Sequence, residues 1–468
     1  MSCVAESWLR GWLLLVWLGG YLLVVALLQA GLAVGSTAGL VALVLAVAVP
    51  VLAVVAARGE WLSGLLVGLV AYLFFAFYLS LWTQEVFGVS TRMALALAKN
   101  LLLLGLLAWG ILSLGRLRWH SLVAWLFLGY VLISMMQGAQ VPVVAQGYLL
   151  NSFLPLALVF LLLLGHLNSA APPSPTLPLR LVGLWLLAAL PLGFLVSHYL
   201  VPSDVIVAQQ LAKGYGDIDG LPRNWWTWLG GERFLRMTGS AEDPIFYGYL
   251  LAFVGFLLLV RRRWVLALAV MLVLLSTWVK GALLLWVLAA VLWLWLARLR
   301  YHGAALVVPI MLVLLVPYLL ASKLGDTSAS VHLQGLLLPF SQIPHNSTVE
   351  NLFGHGIGSS GNLYKAHLGG ELSYSEWVGG GAESGFGLVL YQTGLVGLGG
   401  LLWLIVVCVS LMRDPAAQAL WAVYWVNATL QENLINLNFL VLLLVAVLYL
   451  EGLNRARGRP LHRVANDV

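Results

Sequence analysis

Stretches of roughly twenty consecutive apolar residues recur along almost the whole chain, and no other feature limits its folding as severely. Each is long enough to cross the hydrocarbon layer of a bilayer as a helix. A backbone in lipid must satisfy its own N–H and C=O groups, so only helices and closed barrels span membranes. The windows fall near 11–30, 37–57, 61–82, 93–114, 121–138, 143–165, 179–200, 244–260, 264–279, 281–297, 304–322, 385–412, 416–431 and 434–452. They are rich in Leu, Val, Ala and Trp with no alternating pattern, which selects helices over a barrel. With 62% of its 468 residues hydrophobic and 9% charged, the chain carries more apolar surface than a soluble core could bury. It reads as an all-α polytopic integral membrane protein with about fourteen (12–14) transmembrane helices.

The basic residues give this bundle an orientation, because Lys and Arg in short flanking loops stay on the cytoplasmic side. Arg58, the pair Arg116 and Arg118, Arg180, the triplet Arg261 to Arg263, Arg298 with Arg300, Arg413 and the tail Arg455, Arg457, Arg459 and Arg463 fall at alternate connections. Both termini are then cytoplasmic, and the first window is a retained helix instead of a cleaved signal. Two long polar segments, 201–243 and 323–384, face the outside. The chain divides into N-terminal helices (1–200), a first external loop (201–243), central helices (244–322), a second external loop (323–384), C-terminal helices (385–452) and a basic tail (453–468). The net charge of +6 is flanking charge and gives no reason to invoke nucleic acid. Cys3 and Cys408 lie far apart and suggest neither a disulfide framework nor a metal site.

A few cations fall on the outer side of this scheme. Lys280 lies in a connection of a few residues, where the charge bias disfavours it; it either snorkels or serves a site. Arg223, Arg233 and Arg236 share one loop with Trp225, Trp226 and Trp228. Individually these are solvated charges and an interfacial aromatic belt. Together they suit an anion presented at the membrane surface.

At these residues the chain resembles the O-antigen ligase and O-antigen polymerase superfamily. RMTGSAEDPIFYG, Arg236 to Gly248, looks like the R-x-x-G … P-x-x-x-G signature that opens a central helix. VKGA, Val279 to Ala282, stands where the family has a basic residue before Gly-Ala, with Lys280 in place of the usual Arg. LFGHGIGSSGN, Leu352 to Asn362, is similar to the glycine run of the polymerases. In the ligases a His followed by Asn, Ser or Gln precedes G-x-x-G by nine residues. Here the frame reads Glu383, Ser384, nine residues, then Gly394 to Gly397. The spacing agrees and the His is absent; a carboxylate or other polar residue at this place resembles the polymerases. The resemblance covers roughly residues 230–410.

The resemblance implies a GT-C-like glycosyltransferase architecture in a bacterial inner membrane. The implied donor is an oligosaccharide on polyprenyl diphosphate, the acceptor the non-reducing sugar of a second lipid-linked unit. No cofactor is implied; a flippase and a chain-length regulator are implied partners. Arg236, with its planar fork, and Lys280, a compact charge, would neutralise the departing diphosphate. Glu383 would take or orient the acceptor proton. Arg233, Arg223, His345, Gly356 and Ser384 would contact substrate. A retaining mechanism is disfavoured, since Glu383 has no evident carboxylate partner.

Simpler readings stand beside these. Glu383 and Ser384 suit a helix start, where a carboxylate and a capping oxygen are favoured without catalysis. Gly379, Gly380 and Gly381 permit close approach or form a hinge. His367 and Glu371 have metal-pair spacing but no convincing third ligand. The apolar VHLQGLLLPF, Val331 to Phe340, would lie on the membrane surface as a lid. A ligase shares the same fold and donor. A transporter is the reading from another class, suggested by Lys99, Asn100, Asn427, Glu432, Asn433 and Asn436 within or beside the apolar windows.

Overall fold

A computed structural model describes residues 89–112, 114, 120–137, 142–168, 187, 217–229, 232–239, 243–298, 327–368 and 373–456. Helices dominate these residues. In chain order they are α1 (Val89–Leu112), α2 (His120–Gln137), α3 (Pro142–Leu167, with a π turn at Leu149–Phe153), α4 (Pro244–Val260), α5 (Trp264–Ser276), α6 (Lys280–Leu296), α7 (Thr327–Gln342), α8 (Thr348–Phe353), α9 (Asn362–His367), α10 (Tyr374–Gly379), α11 (Gly385–Leu411), α12 (Pro415–Ala428) and α13 (Leu437–Ala456). Two small antiparallel pairs, β1 (Asp217–Ile218) with β2 (Leu221–Pro222) and β3 (Trp226–Leu229) with β4 (Glu232–Leu235), lie between α3 and α4.

Among the described residues, three helices are long and apolar enough to cross a membrane: Pro142–Leu167, Gly385–Leu411 and Leu437–Asn454. The described residues therefore carry the membrane-protein reading but not the count of about fourteen. The windows at 11–30, 37–57, 61–82 and 304–322 lie outside them, as does 179–200 apart from Leu187. Helices such as α5, with 13 residues, rise only ~20 Å at ~1.5 Å per residue, short of a ~30 Å hydrocarbon layer.

Sequence punctuation explains the helix starts. Asp243 caps α4 by accepting the Ile245 N–H at 3.0 Å, with Pro244 in the first turn. Asp414 and Pro415 repeat the device at α12. Helices α4, α12 and α13 are buried nearly all round, as expected of helices apolar on every face and enclosed by others. By contrast α5 leaves Val265, Leu268 and Leu272 exposed on an apolar surface.

Glycines set how closely the outer segments approach the bundle. Helix α11 kinks at Gly394, whose φ of 64° interrupts the helical backbone. The glycine run after α8 docks at this kink: the His355 and Gly356 N–H groups donate to the Tyr391 and Gln392 carbonyls at 2.9 and 3.0 Å. A Cβ on Gly354 would come within 2.5 Å of the Gln392 backbone. The same approach recurs where α7 crosses α11, because a Cβ on Gly387 would strike the Gly335 carbonyl oxygen. The segment expected as a surface lid is therefore a helix packed on the start of α11.

Candidate functional site

The turn between α10 and α11 ends in Ala382–Glu383–Ser384. Ser384 is the N-cap of α11: its hydroxyl accepts the Gly387 N–H at 2.9 Å and donates to the Thr429 carbonyl. That cap is fully buried, so Ser384 carries the structural task of starting α11. Glu383 stands one residue before the cap with φ of 65°, a left-handed conformation that costs a non-glycine residue ~1–2 kcal/mol. Neighbours hold it there. Its N–H donates to Glu432 Oε2 at 3.4 Å, and its carbonyl accepts His332 Nδ1 at 2.9 Å. The side chain remains 29% exposed, with an Oε2 3.7 Å from His332 Nδ1.

Behind this turn lies Glu432, first residue of a 3-10 turn (Glu432–Ile435) joining α12 to α13. It is buried and surrounded by donors. The Tyr148 hydroxyl donates at 2.7 Å and the Asn362 N–H at 3.2 and 3.3 Å to the two oxygens, alongside Glu383 N–H. The Tyr148 oxygen in turn accepts the Leu363 N–H at 3.2 Å. Burial pushes the Glu432 carboxyl up to about 7; the Tyr148 hydrogen bond opposes this and the Glu383 charge adds to it. The expectation that Glu383 has no carboxylate neighbour is corrected: a second carboxylate packs against its backbone.

Of the cations in the two polar segments, Lys365 and Arg223 interact with each other. Lys365, on α9, lies 3.7 Å above the Trp377 ring, and Trp377 Nε1 donates to Asn362 Oδ1 at 3.2 Å. Burial lowers the Lys365 pKa, Glu383 raises it, and Arg223 lowers it again. Lys365 therefore stands within electrostatic reach of both an exposed Arg from the first segment and the Glu383 carboxylate. Lys280 opens α6 and donates from Nζ to the Trp228 carbonyl at 3.3 Å, so its ammonium bridges to the β3–β4 hairpin. Arg236 donates from Nη1 to the Asn224 carbonyl at 3.3 Å. It also offsets part of the burial that raises the Asp243 carboxyl. Arg233 is committed elsewhere, 2.7 Å from Asp219 and stacked on Trp226. His345 lies on an exposed turn after α7, and Gly356 is occupied with docking on α11. Glu371 lies outside the described residues, so the metal-pair expectation with His367 is not addressed there; among the described residues no group of three metal-ligating side chains occurs.

Two helix starts converge on one turn. Asn427 Nδ2 donates to the Gly281 carbonyl at 2.7 Å, and the Tyr249 hydroxyl to Gln431 Oε1 at 2.8 Å. A Cβ on Gly281 would collide with both Gln431 and Tyr249, and one on Gly385 would come within 2.6 Å of the Ala428 carbonyl. The Lys280 end of α6 and the Glu383 end of α11 are thus fastened to residues 427–432. Asn427 and Glu432, left open by the sequence, are the fasteners, while Asn436 caps the next helix by accepting the Asn438 N–H at 3.0 Å. Sequence reading missed Tyr148, His332, Lys365 and Gln431 as neighbours of this site. For Glu432 there was a signal, a carboxylate between two apolar windows; for the others only the tertiary contacts identify them.

In comparisons with known proteins, no family model, curated protein or solved structure matches this chain.

Proposed function

We propose that the chain is a membrane glycosyltransferase that polymerises polyprenyl-diphosphate-linked oligosaccharide units into O-antigen, capsular or exopolysaccharide at the outer face of a bacterial inner membrane. On this reading the bundle has about fourteen spans, with cytoplasmic termini and both polar segments outside. The observation that carries it is Glu383: a partly exposed carboxylate outside the helix cap, locked through its backbone and within electrostatic reach of Lys365, which in turn feels Arg223 of the first polar segment. Such an arrangement suits attack of an acceptor hydroxyl on the anomeric carbon. The hydroxyl proton passes to the Glu383 carboxylate, the carbon–oxygen bond to the diphosphate breaks, and the electron pair leaves with the polyprenyl diphosphate. Lys365, Arg223, Lys280 and Arg236 would stabilise the leaving charge. Two of the polar residues that suggested a transporter have structural occupations: Asn427 binds the Gly281 carbonyl and Glu432 the Tyr148 hydroxyl.

The test is the purified protein in a bilayer, supplied with a synthetic polyprenyl-diphosphate oligosaccharide. A ladder of lengthening lipid-linked products supports polymerisation. Transfer only to a separate acceptor identifies a ligase, and solute flux without glycan products a transporter.

A further inference from the structure

We infer that Glu432 is the positioning residue for Glu383: one buried carboxylate ties together α3, the start of α9 and the Glu383 turn, and so sets where the Glu383 side chain stands. The assignment rests on the polymerase reading for its consequence in turnover, but not for its geometry. Three donors from three separate stretches converge on Glu432: the Tyr148 hydroxyl, the Asn362 N–H and the Glu383 N–H. All three are donors, and an ionised carboxylate is the acceptor-only side chain that satisfies them together. Glu383 needs such a holder because its left-handed backbone has no glycine to make it cheap. The holder does not touch the outside, since Glu432 is buried while Glu383 is partly exposed. Through Asn362 the same carboxylate is linked to Trp377 and, across that ring, to Lys365. Lys365 and Glu383, which interact electrostatically, therefore share one buried anchor, and reacting groups must be held to within fractions of an ångström for full rate.

The experiment uses the full chain in lipid nanodiscs and two readouts on each variant: amide hydrogen exchange in the peptides covering 360–366 and 380–388, and polymer synthesis from a synthetic donor. Glu432→Gln keeps the shape but presents an NH2 to one of the donors. Exchange in both peptides should rise roughly tenfold, and kcat should fall about a hundredfold with donor KM little changed. Tyr148→Phe, which removes one donor and leaves the carboxylate, should move both readouts the same way by a smaller factor and serves if Glu432→Gln does not fold. In a Glu383→Gln background, adding Glu432→Gln should lower kcat no further. Exchange unchanged from wild type in both variants would overturn the anchor. Faster exchange with normal kcat would overturn its role in positioning. If the wild type makes no polymer, the polymerase reading and the kinetic consequence fail together, while the exchange data still decide the anchor.

Discussion

Ser384 caps α11 and leaves Glu383 one residue outside the helix, with its backbone in the left-handed region and its carboxylate partly open. The capping task, for which Glu383 and Ser384 compete in the sequence, falls to Ser384. Glu383→Gln should lower polymer formation by ~10²–10⁴-fold with donor binding and thermal stability nearly unchanged. Ser384→Ala should instead cost about 1 kcal/mol of stability. Parallel activity, binding and melting measurements on both variants distinguish the roles; near-normal turnover in Glu383→Gln would rule out the chemical one. Glu383→Asp withdraws the carboxylate by a methylene and should also slow turnover markedly.

The outward cations should separate into structural and substrate-facing members. Arg236 binds the Asn224 carbonyl and eases the burial of Asp243, so Arg236→Ala should reduce melting temperature as well as activity. Arg223, exposed beside Lys365, should show a raised donor KM on conversion to Ala with stability within ~0.5 kcal/mol of wild type. Lys280→Arg should retain much of the activity and Lys280→Ala should lose it. Wild-type activity and donor affinity in Lys280→Ala would reduce its role to covering the hairpin.

Glycine at 387 should resist replacement. Within a helix Ala is favoured over Gly by ~1 kcal/mol, so propensity predicts that Gly387→Ala stabilises α11. The tertiary contact predicts the reverse, because the new Cβ meets the Gly335 carbonyl oxygen, a backbone atom unable to rotate away. Overpacking of this kind costs ~1–3 kcal/mol. A melting temperature below that of wild type in detergent supports the contact; an increase would show that α7 does not pack there.

The pH dependence of stability follows from Glu432. Its carboxyl is raised from 4.5 to about 7 in the folded chain, so between those values the folded state binds more protons than the unfolded one. The contribution is fully present below pH 4.5 and is lost as pH rises through about 7. Wild-type melting temperature should fall across that window, on the order of 3 kcal/mol in stability, and Glu432→Gln should remove most of the slope. Asp243, also raised by burial, adds slope of the same sign in both proteins.

Chelation supplies a further check on chemistry. If the diphosphate charge is met by Arg236, Lys280, Lys365 and Arg223, activity should survive EDTA, with only graded losses in His345→Ala, His355→Ala and His367→Ala. Activity lost to chelation and restored by a divalent cation would require a different account of the leaving group.

By itself the sequence determined what depends on local composition and spacing. Apolar runs become helices, and α3, α11 and α13 are long enough to cross a membrane, because a backbone without water must close its hydrogen bonds along the chain. Asp243 with Pro244, and Ser384 before α11, mark helix starts because capping needs only a side-chain oxygen within three residues. Glu383 stood out in the sequence through its spacing to Gly394 and Gly397 in the family-like frame. What the tertiary structure decided is which groups meet from distant positions. Tyr148, Asn362 and Glu432 are separated by 284 and 70 residues, and no period or motif relates them. The reach of Lys365 toward both Glu383 and Arg223 likewise comes from the docking of two polar segments on one bundle end. That docking is set by glycine contacts at 335, 354, 387 and 394, where the absence of a side chain in one segment has meaning only once another backbone occupies the space.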